Sequence, residues 1–395
     1  MHGLLALGTC SLPEEMAPRP MRVLHTESSC GWGGQEIRIL EESRILRMRG
    51  HEVAVACPSS APLHTRAADW GVPVIACPIG CRGLRALLRL RRILSDWHPD
   101  VVNTHSSTDS WLAAIACRTL REPPPIVRTR HISAPIQGGV LARWLYADAT
   151  RHVVTTGQSV RAQVICASGI EASRITSVPT GVDPDRFCPV DRRSVRRTLG
   201  LEPDRPLAGI VATLRSWKGH TDLLEAWAMV RSSDWHLLVV GDGPQRAAIE
   251  SRVRELGLDG TVRIVGHQDE PEHWFQAIDV CCLPSFANEG VPQALIQAMM
   301  SGCAVIATNV GSMSEVIADG ETGLVVPPRD ARSLAAALAR LTESADLRAA
   351  LSRRARAHVL ELFTLERMAD RMEHVFASVL RGTMEAPARR ARCSA

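Results

Sequence analysis

From Met21 onward the chain alternates short apolar runs with amphipathic stretches, and few architectures accept that order. The apolar runs are β-strand candidates at Arg22–Thr26, Glu52–Ala56, Pro73–Cys77, Val101–His105, Ile126–Arg130, His152–Thr155 and Arg174–Val178. A second series follows at Leu207–Thr213, His236–Val240, Val262–Val265, Val280–Leu283, Ala304–Ala307 and Gly323–Val326. Strands separated by helical patterns predict an α/β chain with doubly wound parallel sheets. The segment Asp183 to Asp204, rich in Asp, Arg and Pro, reads as a linker. Two Rossmann-like domains result, residues 21–190 and 205–365, followed by a helix over 366–382 that returns to the first and a frayed tail over 383–395. In such sheets ligands bind beyond the carboxyl ends of the strands, so two facing sheets place the active site in the cleft between them.

Composition removes several alternatives. No run of about eighteen uncharged apolar residues appears, so no membrane-spanning helix is expected. The net charge of +4 is too mild for a dedicated nucleic-acid binder. Twelve cysteines show neither a CxxC pair nor a zinc spacing, which favours reduced thiols in a cytoplasmic setting. Residues 1–20 lack the basic start of a signal peptide. They are a disordered extension or precede the true start at Met21, and the second is expected. Every basic residue except Lys218 is arginine. A chain so biased that keeps one lysine points to a need for an ammonium at that place.

The most informative stretch is Ser285 to Pro328. It reads as loop, helix, strand, loop, helix, strand, with Pro292 in the first turn of one helix and Gly302 as its stop. Gly311, Ser312 and Ser314 are expected to open the next helix. Two helix N-termini behind glycine-bearing loops offer free N–H groups and positive dipole ends to a phosphate. Glu289, and Gln297 eight residues on, can bond hydroxyls, so the ligand class is a phosphorylated polyol.

Other positions suit the same ligand. Gly31, Gly33 and Gly34 precede a helix without forming a GxGxxG fingerprint. Arg215 and Lys218 precede a helix beginning near His220, where a guanidinium and an ammonium could clamp a diphosphate. Two polar clusters end strands of the first series, Asn103 to Asp109 with His105, and Arg128 to Ser133 with His131. Asp183-x-Asp185 looks like a metal-binding pair, but Asp183 suits a turn whose backbone it satisfies, and no metal is expected. Cys81–Trp97 is an amphipathic helix with Leu84, Leu87, Leu88 and Leu94 on one side and Arg82, Arg85, Arg89 and Arg92 on the other. A solvated basic face or peripheral contact with an anionic membrane fits that pattern.

The stretch around Glu289, Gly290, Pro292, Gln297, Gly311, Glu315, Asp319, Gly320, Thr322 and Gly323 closely resembles the donor segment of the retaining glycosyltransferases of family 4, which have the GT-B fold. The resemblance extends from Met21 to about Arg381, and it departs from the family where Gln297 replaces a second glutamate. The family's arginine lies five or six residues before its lysine, at Thr213 or Ala212 here, so Arg215 would be a substitute. The resemblance implies transfer of a hexose-type sugar from a nucleotide diphosphate to a hydroxyl with retention. A glycan or lipid-linked saccharide of the bacterial envelope is the implied acceptor, on the inner face of the cytoplasmic membrane, with no further cofactor. It assigns Glu289 to the sugar hydroxyls, His131 to the transferred sugar, and Lys218 and Arg215 to the diphosphate. Gly33, Gly34, Gly311 and Ser312 fall beside the phosphates, Gly290 elsewhere in the donor site, Gln297 at the ribose, Gly266 and His267 at the base, and His105 on the acceptor side. A binding-only relative and a sugar-nucleotide epimerase are the competing readings.

Overall fold

A computed structural model describes residues 19–131, 136, 139–230, 234–287 and 289–384. The expectations for residues 1–18, for Ser133 and for the tail from 385 lie outside that set. Seven strands form the first sheet: β1 (Arg22–Thr26), β2 (Glu52–Cys57), β3 (Val74–Ala76), β4 (Val101–Thr104), β5 (Ile126–Arg130), β6 (His152–Thr155) and β7 (Ile175–Ser177). Their spatial order is β3-β2-β1-β4-β5-β6-β7 and every pairing is parallel. The second sheet holds β8 (Leu207–Val211), β9 (His236–Val240), β10 (Val262–Gly266), β11 (Val280–Leu283), β12 (Ala304–Thr308) and β13 (Leu324–Val326). Its order is β10-β9-β8-β11-β12-β13, again parallel throughout.

Strands buried on both faces explain the near-continuous apolar runs. Each sheet reverses its winding once, between β1 and β4 and between β8 and β11. Chain leaving those four strands diverges to opposite faces and opens a crevice, the place where such sheets bind ligands. The loops after β1, β4, β8 and β11 carry the glycine-rich run, His105, Lys218 and Glu289.

The chain crosses between the two units twice. The crossings are joined, because Val182 N–H donates to the Phe363 carbonyl (2.9 Å) and Leu365 N–H to that of Val182 (3.1 Å). The terminal helix Leu365–Met384 then packs Leu365, Met368, Met372, Val375 and Phe376 into the core under β1. It runs to Met384, two residues past the expected helix end at 382.

Four local expectations are corrected. Pro292 lies just outside its helix, Gln293–Met300, with ψ 117°. No helix opens at Gly311; the chain makes one 3-10 turn, Met313–Glu315. Ala318 then gives its N–H to the Thr322 hydroxyl (2.8 Å), which turns the backbone away before a second helical turn can form. The segment from Asp183 to Asp204 is no free linker. It contains the helix Arg192–Thr198, and Arg196 bonds the Ala277 carbonyl (2.8 Å) and Asp279 (2.6 Å) of the second unit. The helix Leu84–Trp97 buries Ala86, Leu90 and Ile93 and, of the expected leucine stripe, Leu94 alone in full, with Leu87 partly buried and Leu84 (70 %) and Leu88 (56 %) exposed among its arginines.

Candidate functional site between the two sheets

Lys218 ends the turn Ser216–Lys218 that follows β8. The next residue, Gly219, has φ +74° and lies so close to the Pro284 carbonyl that a Cβ would sit 2.1 Å from it. Only glycine fits there, and the contact brings the lysine loop against the chain leaving β11. Lys218 Nζ consequently reaches Glu289 Oε1 at 2.6 Å, a nearly buried ion pair. Gly311, φ +62°, backs the same loop, its Cα against the Glu289 carbonyl. The N–H groups of Gly311 and Ser312 make no hydrogen bond to another described residue.

The Glu289–Gly290 loop also touches the first unit. A Cβ on Gly290 would lie 2.4 Å from Thr156 Oγ1 and 2.9 Å from the His131 carbonyl. On the opposite wall, Gly33 precedes the helix Gly34–Met48, and Gly34 lies 3.4 Å (at its Cβ position) from Gln293 Oε1, the first residue of Gln293–Met300. The first residues of two helices therefore meet across the crevice, the second of them four residues after Glu289. Gln297 lies one turn along from Gln293 and is largely buried.

Not every expected residue joins this centre. Arg215 is exposed, its guanidinium 5.8 Å above the ring of Trp217, with no carboxylate partner among the described residues. Gly266 and His267 lie at the end of β10, two strands away from β8. His267 is 3.2 Å from Asp269, which pairs with Arg66 of the first unit. Asp183 accepts from the N–H groups of Asp185 (3.0 Å) and Arg186 (3.3 Å), the turn role its position implied. Among the described residues no group of three His, Cys, Asp or Glu side chains could hold a metal.

His25 and Glu27, and the contact between the two expected histidines, were not legible in the sequence. His25 of β1, His105 after β4 and His131 after β5 form a chain: His25 Nδ1 is 2.9 Å from His105 Nε2, and His105 Nδ1 is 2.9 Å from His131 Nε2. Burial holds all three below the ordinary histidine range, His25 at about 3, and the Arg38 cation adds to the effect. Beside them, Glu27 accepts from Ser29 N–H (2.6 Å) and the Ser106 hydroxyl (2.5 Å), tying the glycine-rich loop to the helix Ser107–Arg118. Burial and the neighbouring Asp109 charge raise Glu27 to about 8, and burial raises Asp109 to about 6.

Glu315 has a role its motif does not disclose. Its Oε1 accepts from Gln158 N–H (2.6 Å) at the start of the helix Gln158–Ser168, across the cleft in the first unit. Ser312 Oγ meets Ser159 Oγ at 2.6 Å beside it. The approach depends on Gly157, where a Cβ would lie 2.1 Å from Ser312 Oγ and 2.5 Å from its Cβ. Gly157→Val is therefore expected to hold the units apart, seen as a larger radius of gyration in small-angle scattering. Adding Ser312→Gly should restore the compact form; an unchanged radius in Gly157→Val would show that this contact does not set the closure.

Two facing parallel-sheet units around such a crevice define the GT-B architecture. The structure superposes on a glycosyltransferase from Rickettsia africae with a TM-score of 0.83 at 20% identity, covering 92% of this chain and 99% of that one. HepE from Anabaena, in its complex with UDP-glucose, superposes with a TM-score of 0.81 at 21% identity, covering 91% and 100%. Residues 32–186 match Glycosyltransferase Family 4, and residues 191–358 match Glycosyl transferases group 1. The chain belongs to the family 4 glycosyltransferases, retaining enzymes that use a nucleotide-sugar donor. Among sequence relatives, the D-inositol 3-phosphate glycosyltransferase of Nocardia farcinica is 29% identical over 375 residues, 82% of this chain and 80% of that protein.

Proposed function

We propose that this enzyme transfers a hexose from a uridine diphosphate donor to a hydroxyl of a glycan or lipid-linked saccharide in envelope polysaccharide synthesis. The observation that carries the reading is the Lys218–Glu289 pair, on a loop that leads to the meeting helix starts at Gln293 and Gly34 and is backed by Gly311, whose N–H, like that of Ser312, is unengaged. Without donor the two charges neutralise each other. A bound diphosphate takes the ammonium, and the released carboxylate is free to accept from sugar hydroxyls. As the glycosidic bond breaks, charge grows on the diphosphate, where Lys218, the Gly33–Gly34 helix terminus and the Gly311–Ser312 amides lower its energy. Arg215 joins by swinging from Trp217. The departing phosphate assists deprotonation of the incoming hydroxyl on the same face, with His131 beside the transferred sugar and His105 behind it. Gln297 bonds the ribose and the Gly266–His267 backbone meets the base. No metal takes part in this scheme.

Uracil as the base draws on the relative HepE, which is seen with UDP-glucose. An acceptor at an anionic membrane draws on the first unit's surface. Leu84 and Leu88 stand exposed beside Arg85 and Arg92, and Arg82 covers Trp111, which stacks on Trp144. Val140 (85 %) and Leu141 (70 %) project just before Trp144. Such a mixture suits shallow insertion with arginines at the headgroups, on the cytoplasmic face of the membrane. No described helix is long and apolar enough to cross a membrane.

A binding-only relative is the second reading, favoured by the outward Arg215 and by Gln297 in place of a carboxylate. Thermal unfolding against UDP, GDP, ADP and their sugars with EDTA present separates the two. Ligand at a hundred times its dissociation constant stabilises by about 2.7 kcal/mol. A shift with the uridine series alone is expected; no shift with any nucleotide would leave the binding-only reading in place.

A further inference from the structure

The histidine chain has a property that none of its members has alone. A neutral imidazole has one N–H and one bare nitrogen. In a chain linked nitrogen to nitrogen, the choice made at one end is imposed on each ring in turn. His105 is bonded on both sides, 2.9 Å from each neighbour, so it can only donate one way and accept the other. Its three rings come from β1, β4 and β5, neighbours in the sheet, with the centroids 5.1 and 5.2 Å apart. At the outer end, the His131 backbone carbonyl lies against Gly290 in the cleft, and the ring Nδ1 makes no bond to another described residue without being one of the buried unpartnered atoms.

The inner end is where the direction is chosen. Asn103 accepts the Thr129 hydroxyl at Oδ1 (2.8 Å), and its Nδ2 donates to Glu42 Oε1 (3.3 Å). Glu42 is the fully buried partner of Arg38, and this carboxylate fixes which way the amide faces. The same Nδ2 lies 3.5 Å from His25 Nδ1. An N–H facing that nitrogen disfavours a proton on it, so His25 Nδ1 accepts. His105 then donates from Nε2 and accepts at Nδ1, and His131 donates from Nε2.

We propose that His25 and His105 are positioning residues that hold His131 with its proton on Nε2 and a bare Nδ1 toward the cleft. The bare nitrogen would accept a hydrogen bond from a hydroxyl of the transferred sugar or the acceptor, a use that rests on the function proposed above. The tautomer itself does not depend on that reading. The buried Arg38–Glu42 pair behind His25 contributes by keeping a cation close, which disfavours an imidazolium anywhere along the chain.

The test is long-range 1H–15N correlation on full-length protein labelled at histidine, with no ligand added and signals assigned by single His→Gln variants. His131 is expected to show an unprotonated Nδ1 and a protonated Nε2 that do not average. His25→Phe removes the accepting nitrogen at the inner end and should convert His131 to an averaged pair of tautomers. If that variant does not fold, His105→Phe makes the same break nearer the cleft. A proton on His131 Nδ1, averaging in the unaltered protein, or a fixed His131 in a folded chain-breaking variant would each overturn the proposal. Thermal shift with UDP reads donor binding separately, so failure of the tautomer assignment is distinguishable from failure of the functional reading.

Discussion

Lys218→Met is expected to lower kcat/KM for the nucleotide sugar selected by thermal shift about 100- to 1000-fold, the usual cost of losing one preorganised group that stabilises transition-state charge. The ammonium is the one lysine of the chain, and it is held by a turn that tolerates only glycine at 219. Its removal also strands Glu289, which is 7% exposed at its side chain, without the cation 2.6 Å away. An unpaired buried carboxylate is itself destabilising. The control is the double variant Lys218→Met, Glu289→Gln, where both charges leave together. It should melt closer to the unaltered protein than Lys218→Met and remain inactive. A Lys218→Met enzyme with near-normal kcat/KM would remove the diphosphate clamp from the scheme.

Acid should destabilise the protein well before the carboxylates of the surface titrate. His152 and His220 are lowered to about 4 and His25 to about 3, each chiefly by burial, and His105 and His131 move the same way. A base whose folded pKa lies below its unfolded value favours the native state at high pH. The unfolded chain takes up the proton first, near 6.5, so stability falls as pH drops from there toward 4. Each such histidine contributes about 1.4 kcal/mol per pH unit in that window. Glu27 at about 8 and Asp109 at about 6 act in the opposite sense, because the folded protein keeps their protons while the unfolded chain releases them. Burial also raises Glu41, Glu42 and Asp222, so the five histidines are set against five carboxyls. The histidines are expected to prevail because all five change charge in the unfolded chain inside this window, and Tm at pH 5 is expected below Tm at pH 7. A Tm that is flat or rises toward pH 5 would show that the buried carboxyls dominate.

The strands were legible because buried parallel strands announce themselves as apolar runs, and each expected run matches a strand of the structure to within two residues at either end. The Lys218–Glu289 centre was legible through residue type, since one lysine among arginines and a glutamate before Gly-x-Pro are unusual choices. What escaped the reading depends on lateral pairing. His25, His105 and His131 are neighbours only because β1, β4 and β5 lie side by side, and nothing local to any one of them signals the other two. Glu315 belongs to a recognisable motif, yet its partner is the backbone of Gln158 in the other unit. The missing helix after Gly311 has a similar cause. Gly311, Ser312 and Ser314 suit a helix start, but Thr322 captures the Ala318 N–H and ends the helix after one turn.

The last helix has a consequence for how the protein is made. Leu365, Met368, Met372 and Phe376 complete the core that Met21, Val23, Ile45 and Leu46 begin. During synthesis the first unit is fully translated while the segment that finishes it is still untranslated, nearly two hundred residues away. At about 5–20 residues per second, a nascent chain waits roughly 10–40 seconds with that apolar face uncovered. Maturation is thus not vectorial: the second unit can close around its own sheet first, and the first becomes whole only when the helix Leu365–Met384 leaves the ribosome.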